Sequence, residues 1–208
     1  MHQPPKRALI VIDVQNEYVT GNLRIEYPDV HSSLANIASA MDSARAAGIP
    51  VVVVQHLAAA DSPLFARGSH NAELHPLIRD RPHTLRIEKT MASALTGTGL
   101  GQWLRERDID TLSVVGYMTH NCDDATVRQA SHEGWRVELL HDAAGSPPYR
   151  NALGEATAEE IHRVFTVVMH TGFAAVVSTE QWQAAVKSGS ALAADSIYES
   201  NQRALAAR

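Results

Sequence analysis

Five apolar residues in a row, Ala8 to Ile12, are followed at once by Asp13, Gln15, Asn16 and Glu17. An unbroken, β-branched run without polar alternation marks a strand buried on both faces, as in parallel sheets. From Val30 the period changes. Leu34, Ile37, Ala38, Met41 and Ala44 fall on one face of a helix, and Gly48 supplies its stop. Pro50–Val54 is a second buried strand. The stretch from Ala58 to His83 has scattered Pro, Gly, Ser and His with no steady period, so it reads as a long connection with one short helical turn. Thr84–Glu88 alternates as a shorter strand does.

The second half repeats the scheme. Gly99–Asp108 is predicted helical and Leu112–Val115 a strand ending at Gly116. Residues 121–133 form a helix closed by Gly134, and Arg136–Leu140 is the next strand. Pro147-Pro148 breaks the chain. Thr157 with Glu160 three residues on has the form of a capping box, opening a helix to about Met169. Ala174–Val177 is a last short strand, and Thr179 starts a further helix. Beyond Lys187 the chain becomes an Ala- and Ser-rich tail. Strands alternating with helices give a three-layer α/β/α sandwich around a central, mainly parallel sheet of about six strands. No linker splits it, so residues 1–208 read as one domain with its core over about 8–186 and a tail over 187–208.

Composition narrows the class. Of 208 residues, 45% are apolar and 20% charged, which suits a soluble globular domain. Eighteen basic against 23 acidic residues give a net charge of −5 with no basic block, so nucleic acid is not an expected partner. The N-terminal apolar run is too short for a signal core or a membrane span, and a cytoplasmic protein with no membrane partner is expected. The one cysteine, Cys122, excludes an intrachain disulfide and a multi-cysteine zinc site.

In open α/β sheets, ligands bind outside the carboxyl ends of the strands, where strand order reverses. Asp13, Lys89 and the Thr119–Cys122 turn all fall at such ends. An acid after a buried strand is desolvated and suited to base work, although helix capping would also account for it. A lone lysine is most often a surface charge. A cysteine in the first turn of a helix faces free N–H groups and the positive end of the dipole, which lower a thiol pKa; buried packing is the competing account.

Together these residues carry a resemblance. Asp13 in Ile12-Asp13-Val14-Gln15, Lys89 before Ala92, and Gly116-x₂-Thr119-x₂-Cys122-x₃-Thr126-x₃-Ala130 resemble the isochorismatase-like cysteine hydrolases over about Ala8 to Val186, including His141-Asp142-Ala143. The resemblance implies an Asp13–Lys89–Cys122 triad that cleaves a C–N amide bond of a small molecule through an acyl-enzyme. It also implies a cis peptide at Tyr117–Met118, with the N–H groups of Met118 and Cys122 as oxyanion donors. Gln15, Tyr18, His56, Tyr117 and His120 are the expected substrate-binding residues. No cofactor is implied. The metal-binding Asp-x-His pair of nicotinamidases is replaced by His56 and Ala58, and the irregular spacing of His70, His75 and His83 reads as polar surface or substrate lining. Asp123-Asp124 reads first as ordinary helix-start chemistry, with contact of Asp123 with the pocket as the other reading. Family members commonly assemble, so a homo-oligomer, dimer or tetramer, is expected. Two other functions remain open at this point: vinyl ether hydrolysis with Asp13 as acid, and a non-enzymatic thiol sensor using Cys122 alone.

Overall fold

The computed structural model describes residues 3–207 of the chain. Strand β1 (Arg7–Ile12) lies at the centre of the sheet, since both its faces are apolar. Ala8, Ile10 and Ile12 point into one core and Leu9 and Val11 into the other, the two-residue period of a strand. Helix α1 (Val30–Ala46) leads to β2 (Val51–His56), which pairs in parallel with β1. The long connection holds a short turn at His70–Ala72 and helix α2 (Pro76–Arg79), then returns as the edge strand β3 (Leu85–Lys89). Helix α3 (Leu100–Arg105) crosses to the opposite face and delivers β4 (Thr111–Tyr117) to the other side of β1. Helix α4 (Asp124–His132) and β5 (Arg136–Gly145) follow.

An exposed hairpin, β6 (Tyr149–Asn151) and β7 (Gly154–Ala156), stands where Pro147-Pro148 breaks the chain. It was not legible in the sequence because its strands are three residues each and bury no apolar face. Helix α5 (Ala158–His170) opens on the expected capping box of Thr157 and Glu160. Strand β8 (Ala175–Val177), α6 (Thr179–Ser188) and α7 (Ile197–Ala206) complete the chain, the last giving the tail a helix with no buried residue. The order β3-β2-β1-β4-β5-β8 is all parallel.

The order reverses between β1 and β4, so α1 and α6 cover one face while α3, α4 and α5 cover the other. This leaves a crevice at the carboxyl ends of those two strands. Gly116 is required there: its φ is +121°, and a Cβ would meet the Ile12 carbonyl oxygen at 2.0 Å. At the opposite end, Glu138 accepts from Arg7 Nη2 at 2.8 Å, from Ser113 Oγ at 2.7 Å and from Trp182 Nε1 at 3.0 Å. That buried network joins β1, β4, β5 and α6 beneath the site.

Candidate active site

The switch in strand order brings three strand ends together. Asp13 leaves β1 in the left-handed region, φ 51°, a conformation short polar side chains tolerate. Lys89 is the last residue of β3 and reaches across β2, where His56 sits opposite it in register. Cys122 lies in a π turn, Thr119–Asp123, in which the Asp123 N–H reaches back five residues to the Met118 oxygen at 3.2 Å. The Lys89 ammonium is 2.7 Å from Asp13 Oδ2 and 3.2 Å from Cys122 Sγ. It also meets His56 Nδ1 and the Met91 oxygen, both at 3.1 Å. One ammonium therefore touches the acid and the thiol at once.

Burial governs the proton positions. It raises the Asp13 pKa above the ordinary carboxylate value, opposed by the Lys89 charge and by the nearby Cys122 thiol and His56 backbone. Burial works against the Lys89 ammonium, but Asp13 and Cys122 outweigh it and its pKa is raised. Burial pushes the Cys122 thiol up, and the Asp13 charge adds to that against the pull of Lys89. This corrects the expectation of a thiol lowered by the helix start: with its side chain enclosed, desolvation wins, and the resting sulfur keeps its proton. Beyond the Lys89 ion pair, neither Asp13 oxygen has a hydrogen-bond partner among the described residues.

The motif spacing around Cys122 has a packing reason. Thr126 donates to the Cys122 oxygen at 2.7 Å and accepts from the Ala94 N–H at 2.9 Å, tying the Cys122 turn to the loop after β3. Thr119 Oγ1 bonds His162 Nδ1 at 2.9 Å, and Ala130 is fully buried one helical stretch further on. The Tyr117–Met118 peptide is cis, and the Met118 N–H finds no acceptor among the described residues.

The two acids after Cys122 differ. Asp124 is ordinary helix chemistry, paired with Arg128 at 2.8 Å across one turn. Asp123 is not: it is fully buried, caps no N–H, and neither oxygen has a partner among the described residues. Burial, then the Asp13 charge, holds its pKa well above the ordinary value, which favours the protonated acid. Asp142, part of the third matching segment, instead caps α6, accepting from the Thr179 N–H at 2.8 Å.

A cleft of about 440 Å³ opens over Cys122. Of the expected binding residues, Tyr18 and His56 line it. Gln15 does not: its amide is spent on the backbone, donating to the His56 and Ala72 oxygens and accepting from the His56 N–H. Tyr117 does not either, being fully buried behind Tyr18 with its hydroxyl on Ser33 Oγ at 2.7 Å. Both inward-facing side chains stand at or just past strand ends, and sequence position alone does not tell a wall from its backing. His120 sits at the rim, bonded to Ser146 Oγ and to Tyr149 Oη, each at 3.0 Å.

Sequence reasoning missed Phe65 and Tyr149 as cleft walls, because Phe65 lies in a loop and Tyr149 in an exposed three-residue strand too short to show a period. It also missed Glu17, buried and accepting from the Asn22 and Phe65 N–H groups, which fixes the wall in place. Three of the loop histidines serve locally: His70 pairs with Glu73, His75 Nδ1 accepts from Leu77 N–H, and His83 contacts the Arg81 oxygen. Among the described residues, no three metal-ligating side chains converge.

An all-parallel sheet of this order, with an acid, a lysine and a cysteine gathered over its reversal, has the isochorismatase-like fold. The chain belongs to the isochorismatase family: the model of the isochorismatase domain matches residues 7–181. It is similar to a solved isochorismatase-family protein from Burkholderia xenovorans LB400, with 64% identity, 99% of both chains covered and a TM-score of 0.98. The secreted isochorismatase effector Isc1 of Verticillium dahliae is 34% identical over 148 residues, 68% of this chain and 77% of that protein. A streptothricin hydrolase of Streptomyces noursei is 34% identical over 141 residues, 67% of this chain and 54% of that enzyme.

Proposed function

We propose that this protein hydrolyses a C–N amide bond of a small molecule through a covalent Cys122 intermediate. The observation that carries the reading is the Lys89 ammonium in contact with both Asp13 and Cys122. A streptothricin hydrolase among the relatives supports it. In this reading the Asp13 carboxylate takes the proton from Cys122 as the sulfur attacks the carbonyl carbon, and Lys89 stabilises the thiolate that forms. The N–H groups of Met118 and Cys122 hold the developing oxyanion. Asp13 then gives the proton to the amide nitrogen, the C–N bond breaks and the amine leaves. Water attacks the resulting thioester while Asp13 takes its proton; the C–S bond breaks, the acid departs, and the proton returns to Cys122.

A thiolate has no bond to make in vinyl ether hydrolysis, which begins with protonation of carbon, so the cysteine favours the amide. Cys122→Ala is expected to abolish amide turnover, and a slow amide to leave its acyl mass on the Cys122 peptide. Activity that survives Cys122→Ala but is lost in Asp13→Asn would transfer the assignment to vinyl ether hydrolysis. Thiol reactivity without any turnover, indifferent to Asp13→Asn, would leave a sensor.

A further inference from the structure

The cleft over Cys122 is uncharged. Its walls include Tyr18, Leu23, Phe65, Met118 and Tyr149, and among its described lining residues none carries a formal charge at neutral pH. The imidazoles here are neutral: burial, then the Lys89 charge, lowers His56 to about 4, and burial lowers His120 to about 4. Lys89 has nothing to lend, because four acceptors, on Asp13, Cys122, His56 and Met91, already compete for its three N–H bonds. The arginines on the neighbouring segments are engaged as well: Arg24 with the Thr20 and Gly21 oxygens, Arg67 with Glu88, Arg150 with Glu155. A carboxylate drawn into this cleft would lose its water, meet no counter-charge and approach Asp13.

His56 adds a positive preference. The Lys89 ammonium can only donate, so His56 Nδ1 accepts and the ring proton sits on Nε2. The ring lines the cleft, edge-on to Phe65 with centroids 5.2 Å apart, and Nε2 has no partner among the described residues. The result is a neutral, fixed donor facing the aromatic walls.

We propose that the cleft selects an uncharged amide whose flat, apolar acyl group carries one neutral hydrogen-bond acceptor for the His56 Nε2–H, and rejects acyl groups bearing a carboxylate. This rests on the amide-hydrolase reading above and adds to it the charge and shape of the substrate.

Three amides of nearly equal size test it with the full-length protein: benzamide, 3-acetylbenzamide and 3-carboxybenzamide, read by ammonia release and by acyl mass on the Cys122 peptide. The acetyl compound is expected to exceed benzamide in kcat/KM by about threefold to tenfold, the worth of one neutral hydrogen bond. The carboxylate is expected to fall at least about a hundredfold below its acetyl counterpart. In His56→Phe the ratio of acetyl to plain benzamide should fall to about one. Leu23→Arg, which adds a cation to the wall, should raise turnover of the carboxylate relative to the acetyl compound. Acylation by the carboxylate at a rate equal to or above that of the acetyl compound overturns this proposal and leaves the amide reading standing. No ammonia and no acyl mass from any of the three overturns this proposal, and the amide reading falls with it only if small aliphatic amides leave no acyl mass on the Cys122 peptide either.

Discussion

The Asp13 carboxylate and the Lys89 ammonium meet at 2.7 Å with neither side chain exposed to solvent. These residues are brought together from β1 and β3 across the intervening strand. In a dry site the ion pair and the thiol beside it act as one charge unit, since moving the sulfur proton to Asp13 leaves the total unchanged.

The pH dependence follows from that unit. The base must be ionised to take a proton, and burial raises its pKa above the usual 3.8. Activity is therefore expected to fall on acidification at a pH above the ordinary carboxylate range, as Asp13 protonates. Lys89, with its pKa raised from 10.5, keeps its charge throughout the neutral range. A kcat/KM profile with a flat acid side down to pH 4 would contradict Asp13 as base.

Lys89→Met should reduce kcat by about a hundredfold or more by removing the cation that stabilises the thiolate. It also strands a buried carboxylate, a loss on the order of 3–5 kcal/mol that Asp13 partly avoids by taking a proton. The stability deficit should therefore be smaller at acid pH than at neutral pH. Urea unfolding at the two pH values checks this.

Asp123→Asn separates the second buried acid from the first. Its folded pKa is raised above the unfolded value, so its favourable contribution is full below about pH 4 and lost as pH rises toward the folded pKa. Replacement by the neutral amide should leave Tm nearly unchanged at pH 4 and raise it as the pH climbs from 4 toward neutrality. A Tm difference that shrinks over that range would mean Asp123 is ionised and paired.

Glu138→Ala tests the base of the sheet. It leaves Arg7 buried without its counter-charge and removes the acceptor of Ser113 and Trp182. A loss of about 3–5 kcal/mol is expected in denaturant unfolding. Glu138→Gln, which keeps the acceptor and removes the charge, should lose less.

The sequence by itself determined the layers and pointed to the strand ends from which the candidate site is built. Ala8–Ile12 and Pro50–Val54 are apolar without alternation, which only a strand covered on both faces can use, and Thr157 with Glu160 spelled out the start of α5. Asp13, Lys89 and Cys122 each follow a strand legible in the sequence, and the motif resemblance joined them into one candidate site. Tertiary structure decided what these residues face. The reversal between β1 and β4 put three strand ends around one ammonium, and the same enclosure kept the proton on Cys122 when the helix start alone pointed to a thiolate. It sent Gln15 and Tyr117 behind the wall, brought in Phe65 from a loop and Tyr149 from the short hairpin strand β6, and buried Asp123 fully beside a partly buried, Arg128-paired Asp124 that sequence treats alike. Burial depends on contacts between distant segments, and desolvation, the largest influence on every proton in this site, has no local signature in the chain.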